Sequence, residues 1–359
     1  MPGKKTVVVG MSGGVDSSVA AYLLKEQGYD VIGVTMQIWQ DEEPQIQSEQ
    51  GGCCGLSAVE DARRVASSLG IPHYVMNFKD CFKEQVIDYF IGEYLAGRTP
   101  NPCIACNRHV KWEALLKRSM DIGADYIATG HYARIDHLEN GRYAVRNCVT
   151  AEKDQTYALY NLTQDQLSRT LMPVGDYTKD EIRHIAKKIG LAVADKPDSQ
   201  DICFVPDGDY AGFIERNCEQ VPPPGNFVDA DGVVLGRHKG IVHYTVGQRR
   251  GLQLSMGKRI FVSRICPETN EVVIGDNEDL MKQTVQTDAF HFMSVEDIKE
   301  DTPVVAKIRY NHKGAEAVLH KREDGKIECI FASPQRAVTP GQALVCYQGE
   351  YVLGGGVIT

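Results

Sequence analysis

Short apolar runs alternate with amphipathic segments along roughly the first 200 residues of the chain. Four runs rich in Val and Ile have the length of buried strands, and apolar residues at helical spacing lie between them. This alternation predicts an α/β domain, a Rossmann-like doubly wound parallel sheet with helices packed on it. The predicted strands cover residues 6–9, 31–36, 73–78 and 126–129.

Two predicted helices have recognisable ends. Ser57 with Glu60 forms a capping box for a helix that runs to Leu69 and stops at Gly70. Thr178 with Glu181 is the same signal for a helix that ends near Gly190. Because an open parallel sheet binds ligands at the carboxyl ends of its strands, we expect the functional residues to lie in the loops at that edge.

The pattern changes after the Pro-rich residues 222–225, where apolar residues begin to alternate with period two. This change predicts three domains: an α/β domain over 1–205, a small central domain over 206–276, and an antiparallel β-barrel over 277–359. The predicted strands of the last two domains cover residues 259–265, 272–274, 304–310, 315–320, 327–331 and 343–347.

Composition limits the class of protein. Hydrophobic residues make up 43% and charged residues 24% of the 359, which is typical of a globular protein, and no run approaches the ~20 apolar residues of a membrane span. We therefore expect a cytoplasmic protein without a membrane partner, in which the eleven cysteines do not form a disulfide framework. The net charge of −9 argues against a nucleic-acid partner, but basic residues gather in 108–118 and 237–250.

The segment 12–18, Ser-Gly-Gly-Val-Asp-Ser-Ser, follows a predicted strand and opens a predicted helix. Backbone N–H groups and the helix dipole converge there, so the turn is suited to bind an anion. The serine hydroxyls add donors, and Asp16 is expected to cap the helix or to help hold Mg²⁺. The Gly-Lys-Ser/Thr of a Walker A motif is absent. The turn instead resembles the pyrophosphate loop of the ATP pyrophosphatase superfamily, of the adenine nucleotide alpha hydrolase type.

Two cysteine-bearing loops also stand out. The first, residues 97–107, contains two prolines and is predicted to be non-helical until Cys106 opens a helix, where nearby Arg108 and Lys111 favour the thiolate. The second, 198–205, is polar and carries Cys203. From the residues alone, three other arrangements stay open: a thioredoxin-like dithiol, zinc on Cys103 and Cys106 with Cys53 and Cys54, and an iron–sulfur cluster on Cys103, Cys106 and Cys203.

Six motifs in order resemble the tRNA-specific 2-thiouridylase family, which puts sulfur on the wobble uridine of tRNA. They are the loop 12–18, Thr-Pro-Asn-Pro-x-x-x-Cys-Asn at 99–107, Gly-His-Tyr-Ala at 130–133, Lys-Asp-Gln at 153–155, Ser-Gln-Asp-Ile-Cys-Phe at 199–204 and the segment 243–252. The two cysteine motifs are specific to this family, whereas the pyrophosphate loop is common to the superfamily. The segment 243–252 supports the resemblance but has no role derivable from its residues.

The resemblance implies which residues form the functional site, and it implies no metal site built from protein side chains. Cys106 and Cys203 are the implied catalytic residues, and tRNA is the implied partner. ATP, with Mg²⁺, is implied at Gly10, Met11, Ser12, Gly13, Gly14, Val15, Asp16, Ser17, Met36 and Gly130. Contacts with tRNA are implied at Asn101, Pro102, Cys103, His131, Lys153, Asp154, Gln155, Arg309, Tyr310 and Gln342, the first three around the target base.

The resemblance also implies a mechanism. ATP adenylates the uracil 2-carbonyl, and a cysteine desulfurase or sulfur-relay protein supplies persulfide sulfur to Cys203. Cys106 then releases that sulfur or closes a disulfide with Cys203 after transfer. Many relatives carry Asp at the position of Cys103, which leaves the general base open. Two other classes remain as alternatives, an amide-forming ligase of the same superfamily and a non-catalytic tRNA-binding protein.

Overall fold

The computed structural model describes residues 3–38, 56–197 and 202–359. Its helices are α1 Val15–Glu26, α2 Leu56–Leu69, α3 Lys79–Phe82, α4 Tyr89–Leu95, α5 Pro102–Ala105, α6 Leu116–Asp121, α7 Gln164–Ser168, α8 Lys179–Lys188 and α9 Tyr210–Asn217, with π-helical segments at Lys83–Asp88 and Cys106–Leu115 and 3₁₀ turns at Ala151–Lys153, Thr156–Leu159 and Ile241–His243.

The strands are β1 Thr6–Gly10, β2 Asp30–Gln37, β3 His73–Asn77, β4 Tyr126–Ala128, β5 Arg134–His137, β6 Tyr143–Arg146, β7 Thr170–Leu171, β8 Gly225–Val228, β9 Val234–His238, β10 Phe261–Cys266, β11 Glu271–Gly275, β12 Met281–Phe292, β13 Thr302–Lys307, β14 Ala315–Lys321, β15 Ile327–Arg336, β16 Ala343–Gln348 and β17 Tyr351–Ile358.

The chain divides into two compact units. The first comprises Met1–Val86, Cys103–Gly208 and Glu350–Val352, and the second comprises Ile87–Pro102, Asp209–Gly349 and Leu353–Thr359. The boundaries of the three predicted domains, after residues 205 and 276, are not decided by this division and stay a prediction.

The first unit is built on a five-stranded parallel sheet with the order β3-β2-β1-β4-β7. Residues 7–9 of β1 are fully buried valines, as expected for a strand covered on both faces. Two of them, Val7 and Val9, share a core cluster with residues of α1, α2 and α8, whereas α6 packs against β4. The predicted α/β fold is confirmed. The strand order reverses between β1 and β4, and such a switch point opens a ligand-binding crevice at the carboxyl ends of the strands.

Helix ends agree with the sequence in part. The capping box of Thr178 and Glu181 is present at α8. By contrast, α2 begins at Leu56, so Ser57 lies in the first helical turn and not at the N-cap as predicted. The stop at Gly70 is confirmed, since its N–H bonds the carbonyl of Ser67.

The second unit contains a four-stranded sheet, β10-β11-β8-β9, and a closed antiparallel barrel of β12 to β17. The predicted barrel is confirmed, but two of its strands, β12 and β17, are not readable from the sequence. Most residues of β12 are polar and exposed, and β17 contains the glycines 354–356, so neither strand has an apolar pattern of period two. Those glycines let β17 close the barrel against β12, because a Cβ at Gly354 would lie 2.3 Å from the carbonyl oxygen of His291.

Candidate active site

The loop between β1 and α1 presents free helix N–H groups to the switch point. Gly14 is the N-cap of α1, in an extended conformation and without a side-chain cap. The hydroxyls of Ser17 and Ser18 donate to the carbonyl of Gly14 at 3.2 and 2.8 Å, so they brace the turn from within. Gly13 has φ +70°, and a Cβ there would lie 2.4 Å from the carbonyl oxygen of Ala58. The turn is therefore held by its own contacts, among them a hydrogen bond from the N–H of Ser12 to Oγ of Ser17 at 3.2 Å, and the N–H groups of the first helical turn are placed for an anion.

Gly130, which follows β4, closes the other side of this crevice. A Cβ on Gly130 would lie 2.6 Å from the backbone nitrogen of Ser17, so only glycine permits this approach. Met36 is half-buried at the end of β2, and Gly10 ends β1. The predicted nucleotide residues thus come from three neighbouring strands and meet at the carboxyl edge of the sheet.

Asp16 does not cap α1, contrary to one of the two predicted roles. Its carboxylate oxygens each lie 2.8 Å from the ammonium of Lys179, and Oδ1 also accepts from the hydroxyl of Tyr132 at 2.7 Å. Sequence reasoning missed both partners. Lys179 occupies the first turn of α8, where a cation is unfavourable because it opposes the helix dipole. This unfavourable placement was the one sign in the sequence that Lys179 has an acidic partner.

The donor set does not fit a resident Mg²⁺. In the ranges that the structure describes, no three His, Cys, Asp or Glu side chains converge to hold a metal ion. The carboxylate of the loop itself, Asp16, is already engaged by Lys179. Phosphate oxygens of a nucleotide are the ligands that Mg²⁺ would still need here.

A second missed lysine links the pyrophosphate loop to the Cys203 segment. Lys196 donates to the carbonyl of Gly13 at 3.2 Å and to the Asp61 carboxylate on α2 at 2.8 Å. It lies seven residues before Cys203 in the chain. The residues Ser199, Gln200 and Asp201 of the family-like motif lie outside the described residues.

The Cys106 helix begins earlier than predicted. Pro102, not Cys106, occupies its first position, because proline has the φ of a helix and needs no N–H partner there. Cys103 consequently lies in the first turn and is exposed. Cys106 starts the π-helical segment Cys106–Leu115 one turn further and is partly buried.

Residues following Cys106 fix the orientation of this helix. Asn107 is buried and donates to the carbonyl of Ala158 at 2.9 Å, while its Oδ1 accepts from Lys111 at 2.8 Å. The same ammonium lies 3.4 Å from Nε2 of His131, whose Nδ1 is 2.7 Å from the hydroxyl of Thr129. Burial and the Lys111 charge lower the pKa of His131 well below its ordinary value, so the imidazole is neutral at pH 7.

The Cys203 segment and the Cys106 helix contact the same short helix, α3. Phe204 packs edge-on against Phe82, with ring centroids 5.7 Å apart, and both rings are buried. The neighbouring thiol of Cys81 donates to the carbonyl of His109, and burial raises the pKa of Cys81. Cys203 itself is exposed. Cys53 and Cys54 lie outside the described residues.

Two predicted tRNA contacts in the first unit are used inside the protein. Asp154 accepts from the N–H groups of Cys148 and Thr156 at 3.0 and 3.1 Å. Gln155 exchanges two hydrogen bonds with the backbone of Tyr132, at 2.9 and 3.0 Å. Both side chains shape the loop beside Asp16 and His131, whereas Lys153 lies at the end of a 3₁₀ turn.

In the second unit, Gln342 is bound to the loop that leads to Cys103. Its Nε2 donates to the carbonyl of Thr99 at 2.8 Å and lies 3.4 Å from that of Pro100. Arg309 donates to the carbonyl of Arg336 at 3.2 Å. Tyr310 is 42% exposed, and Asn101 is partly buried. Whether these residues contact tRNA stays a prediction.

Family models cover nearly the whole chain. They match a tRNA methyl transferase HUP domain at residues 5–207, a tRNA methyl transferase PRC-barrel domain at 211–276 and an aminomethyltransferase beta-barrel domain at 282–358. A tRNA-specific 2-thiouridylase of Lachnoclostridium phytofermentans is 68% identical over 354 residues, 99% of both chains. One of Clostridioides difficile is 56% identical over 99% of this chain and 98% of its own.

This chain belongs to the tRNA-specific 2-thiouridylase family. The names of two models mention methyl transfer, but the full-length thiouridylases are far more similar and decide the group that is transferred. Among solved structures, an RNA complex of a 4-thiouridine synthetase with bound ATP matches 59% of this chain and 50% of its own, with 20% identity. Its TM-score of 0.37 is too low to add to the assignment.

Membership of the thiouridylase family confirms the identification made from the motifs. It also confirms the enzyme class, an ATP-dependent tRNA-uridine 2-sulfurtransferase, and leaves no support for an amide ligase or a non-catalytic tRNA-binding protein. None of the helices within the described ranges is long and apolar enough to cross a membrane.

Proposed function

We propose that the enzyme adenylates the 2-oxygen of the wobble uridine and then replaces it with sulfur carried by Cys203. The supporting observation is that one compact unit holds a loop suited to bind an anion and two cysteine segments that contact the same helix, α3. The uracil oxygen attacks the α-phosphate of ATP, and pyrophosphate leaves into the N–H groups of the loop. AMP is then the leaving group at carbon 2, so a sulfur nucleophile can attack that carbon and displace AMP.

Sulfur delivery is proposed to start from a persulfide on Cys203, loaded by a cysteine desulfurase or a relay protein. In one route, the Cys106 thiolate attacks Sγ of Cys203, and the S–S bond breaks to release hydrosulfide, which displaces AMP. In the other, the terminal persulfide sulfur displaces AMP first, and Cys106 then attacks Sγ of Cys203 to free the thiocarbonyl. Both routes end in a Cys106–Cys203 disulfide, which an external dithiol must reduce by two electrons before the next turnover.

This persulfide route is favoured over an iron–sulfur cluster on Cys103, Cys106 and Cys203. All three cysteines are among the described residues, yet no three potential metal ligands converge there. An exposed Cys203 also suits collection of sulfur from another protein. A cytoplasmic location and Mg²⁺ bound with ATP remain part of the proposal.

The test is mass spectrometry of wobble nucleosides after tRNA is incubated with enzyme, ATP, cysteine and a desulfurase. We expect 2-thiouridine with the wild type and none with Cys106→Ser or Cys203→Ser. Intact-protein mass spectrometry should find a persulfide on Cys203 in the Cys106→Ser variant and no loading in Cys203→Ser. Buried Cys329→Ser is the matched thiol control and should leave the product unchanged. Persulfide on Cys106, or product from the Cys203→Ser variant, would reject the proposed roles.

A further inference from the structure

One stretch of the second unit is free of acidic residues although the whole chain is acidic. The sequence has 48 Asp and Glu residues and a net charge of −9, so 36 consecutive residues would on average contain about five carboxylates. Residues 232–267 contain none. The same stretch carries seven cationic side chains, which are Arg237, Lys239, Arg249, Arg250, Lys258, Arg259 and Arg264.

Four of these cations belong to residues 248–262, a loop with the first two residues of β10, which we call the basic loop. Two backbone hydrogen bonds close its ends, from the N–H of Gly247 to the carbonyl of Val262 at 2.8 Å and from the N–H of Val262 to the carbonyl of Gln248 at 2.9 Å. Leu252 and Ile260 anchor it in the core of the four-stranded sheet. The loop therefore presents its charges from a fixed base.

The four cations have no neutralising neighbour. Arg249, Arg250, Lys258 and Arg259 are all exposed, and within the described part of the chain none of their side chains makes an ion pair or a hydrogen bond. Arg237 differs, because it donates to Asn226 and to the carbonyl of Pro224. Unpaired cations without intervening carboxylates create a local positive potential that the net charge conceals.

The loop also has a concave surface. Arg249, Lys258 and Arg259 line an open cavity of about 540 Å³ together with the intervening loop residues. One guanidinium group can bind two phosphate oxygens at once, whereas an ammonium group binds phosphate as a point charge. A curved surface with several such groups is suited to consecutive phosphates of a nucleic-acid backbone, whereas an isolated small anion would need an enclosed site.

We propose that the basic loop binds the phosphate backbone of the tRNA substrate. This inference rests on the proposed function, which requires an acidic protein to hold a polyanion through a long reaction sequence. Backbone contacts of this kind fix the position of an RNA without reading its sequence. The basic loop would thus contribute affinity for tRNA but no chemistry.

The experiment compares two charge-neutralising pairs, R249Q/R250Q and K258Q/R259Q, with a control pair, K299Q/K326Q. The control removes the same charge from exposed lysines of the barrel. Binding of a tRNA transcript is measured from about 50 to 300 mM KCl, a range over which phosphate contacts change the affinity strongly. Each lost phosphate contact should reduce the slope of log affinity against log salt by about 0.7–0.9. We expect each loop pair to reduce the slope by about 1.5 and to weaken binding roughly tenfold, with kcat at saturating tRNA unchanged.

Unchanged slopes in both loop pairs would overturn the proposal, as would an equal loss in the control pair, which would reveal a net-charge effect. Normal tRNA binding combined with lost persulfide loading would assign the loop to an acidic protein partner and also overturn it. Thermal unfolding of each variant checks the fold. A different result would contradict the proposed function: wild-type enzyme that binds tRNA normally but makes no 2-thiouridine.

Discussion

The ammonium of Lys179 lies 2.8 Å from both carboxylate oxygens of Asp16, across 163 residues of sequence. Only 11% of the lysine side chain and 29% of the aspartate side chain are exposed, so water screens this pair incompletely. Both residues lie in first helical turns, Asp16 in α1 and Lys179 in α8. The pair therefore ties the pyrophosphate loop to α8 and sets the charge beside the loop.

We expect Lys179→Met to reduce tRNA-dependent pyrophosphate release by roughly 100-fold, because a preorganised charge beside the leaving pyrophosphate is lost. Asp16→Ala should also abolish release while the protein stays folded. Lys187→Met is the matched control, since that lysine pairs with Asp195 at 2.8 Å on the exposed side of the same helix. Release is measured with a coupled phosphate assay. Wild-type rates in Lys179→Met would show that the pair has no part in activation.

Gln342 offers a separate test, because its contacts suggest a role different from the predicted one. The side chain donates to the carbonyl of Thr99 and so supports the loop that precedes Cys103. If it positions this loop, Gln342→Glu, which cannot donate from that atom, should lower kcat about tenfold and leave KM for tRNA nearly unchanged. A direct tRNA contact would instead raise KM at constant kcat. Steady-state kinetics of 2-thiouridine formation separates the two.

The sequence is sufficient to predict the elements that carry local signals. Valine runs predict β1 and β2, and Thr178 with Glu181 predicts the start of α8. Glycines between a strand and a helix predict the turn from β1 into α1, and they predict an anion there because backbone N–H groups at a helix N-terminus attract negative charge; the anion itself stays a prediction. In contrast, β17 has no readable strand pattern, since its glycines serve a close approach that exists only in the folded barrel.

Residues of the site were predictable only where a motif contains them. The partners of Asp16, Lys179 and Tyr132, come from distant segments, and no spacing in the chain links them to the pyrophosphate loop. Asp154 and Gln155 illustrate the reverse case. Their motif implies contacts with tRNA, which stay a prediction, and the fold adds that both side chains accept hydrogen bonds from backbone groups of the protein. A motif identifies residues that matter, and geometry is needed to say what each one touches.

Stability should depend on pH through His238, which lies buried at the end of β9. Its Nδ1 accepts from the N–H groups of Gly225 and Gly240 at 3.3 and 3.1 Å, and Nε2 lies 3.1 Å from the carbonyl of Asn270. This arrangement requires the neutral ring, and burial lowers the pKa of His238 below its ordinary value. The unfolded chain therefore binds one more proton at this site as the pH falls below about 6.5.

We expect the contribution of His238 to the free energy of unfolding to be constant above about pH 7 and to decrease below about pH 6.5, with a limiting slope of about 1.4 kcal/mol per pH unit. Other histidines with lowered pKa values, His73, His131 and His312, add to the total slope. His238→Asn keeps an acceptor for the two N–H groups and removes the titration. Urea unfolding of this variant between pH 5 and 7.5 should therefore show a smaller slope of unfolding free energy against pH, and the difference should correspond to one bound proton. His184→Gln, on the exposed surface of α8, is the control for removing a histidine elsewhere in the chain. Equal slopes in wild type and His238→Asn would show that His238 is protonated equally in the folded and unfolded chains.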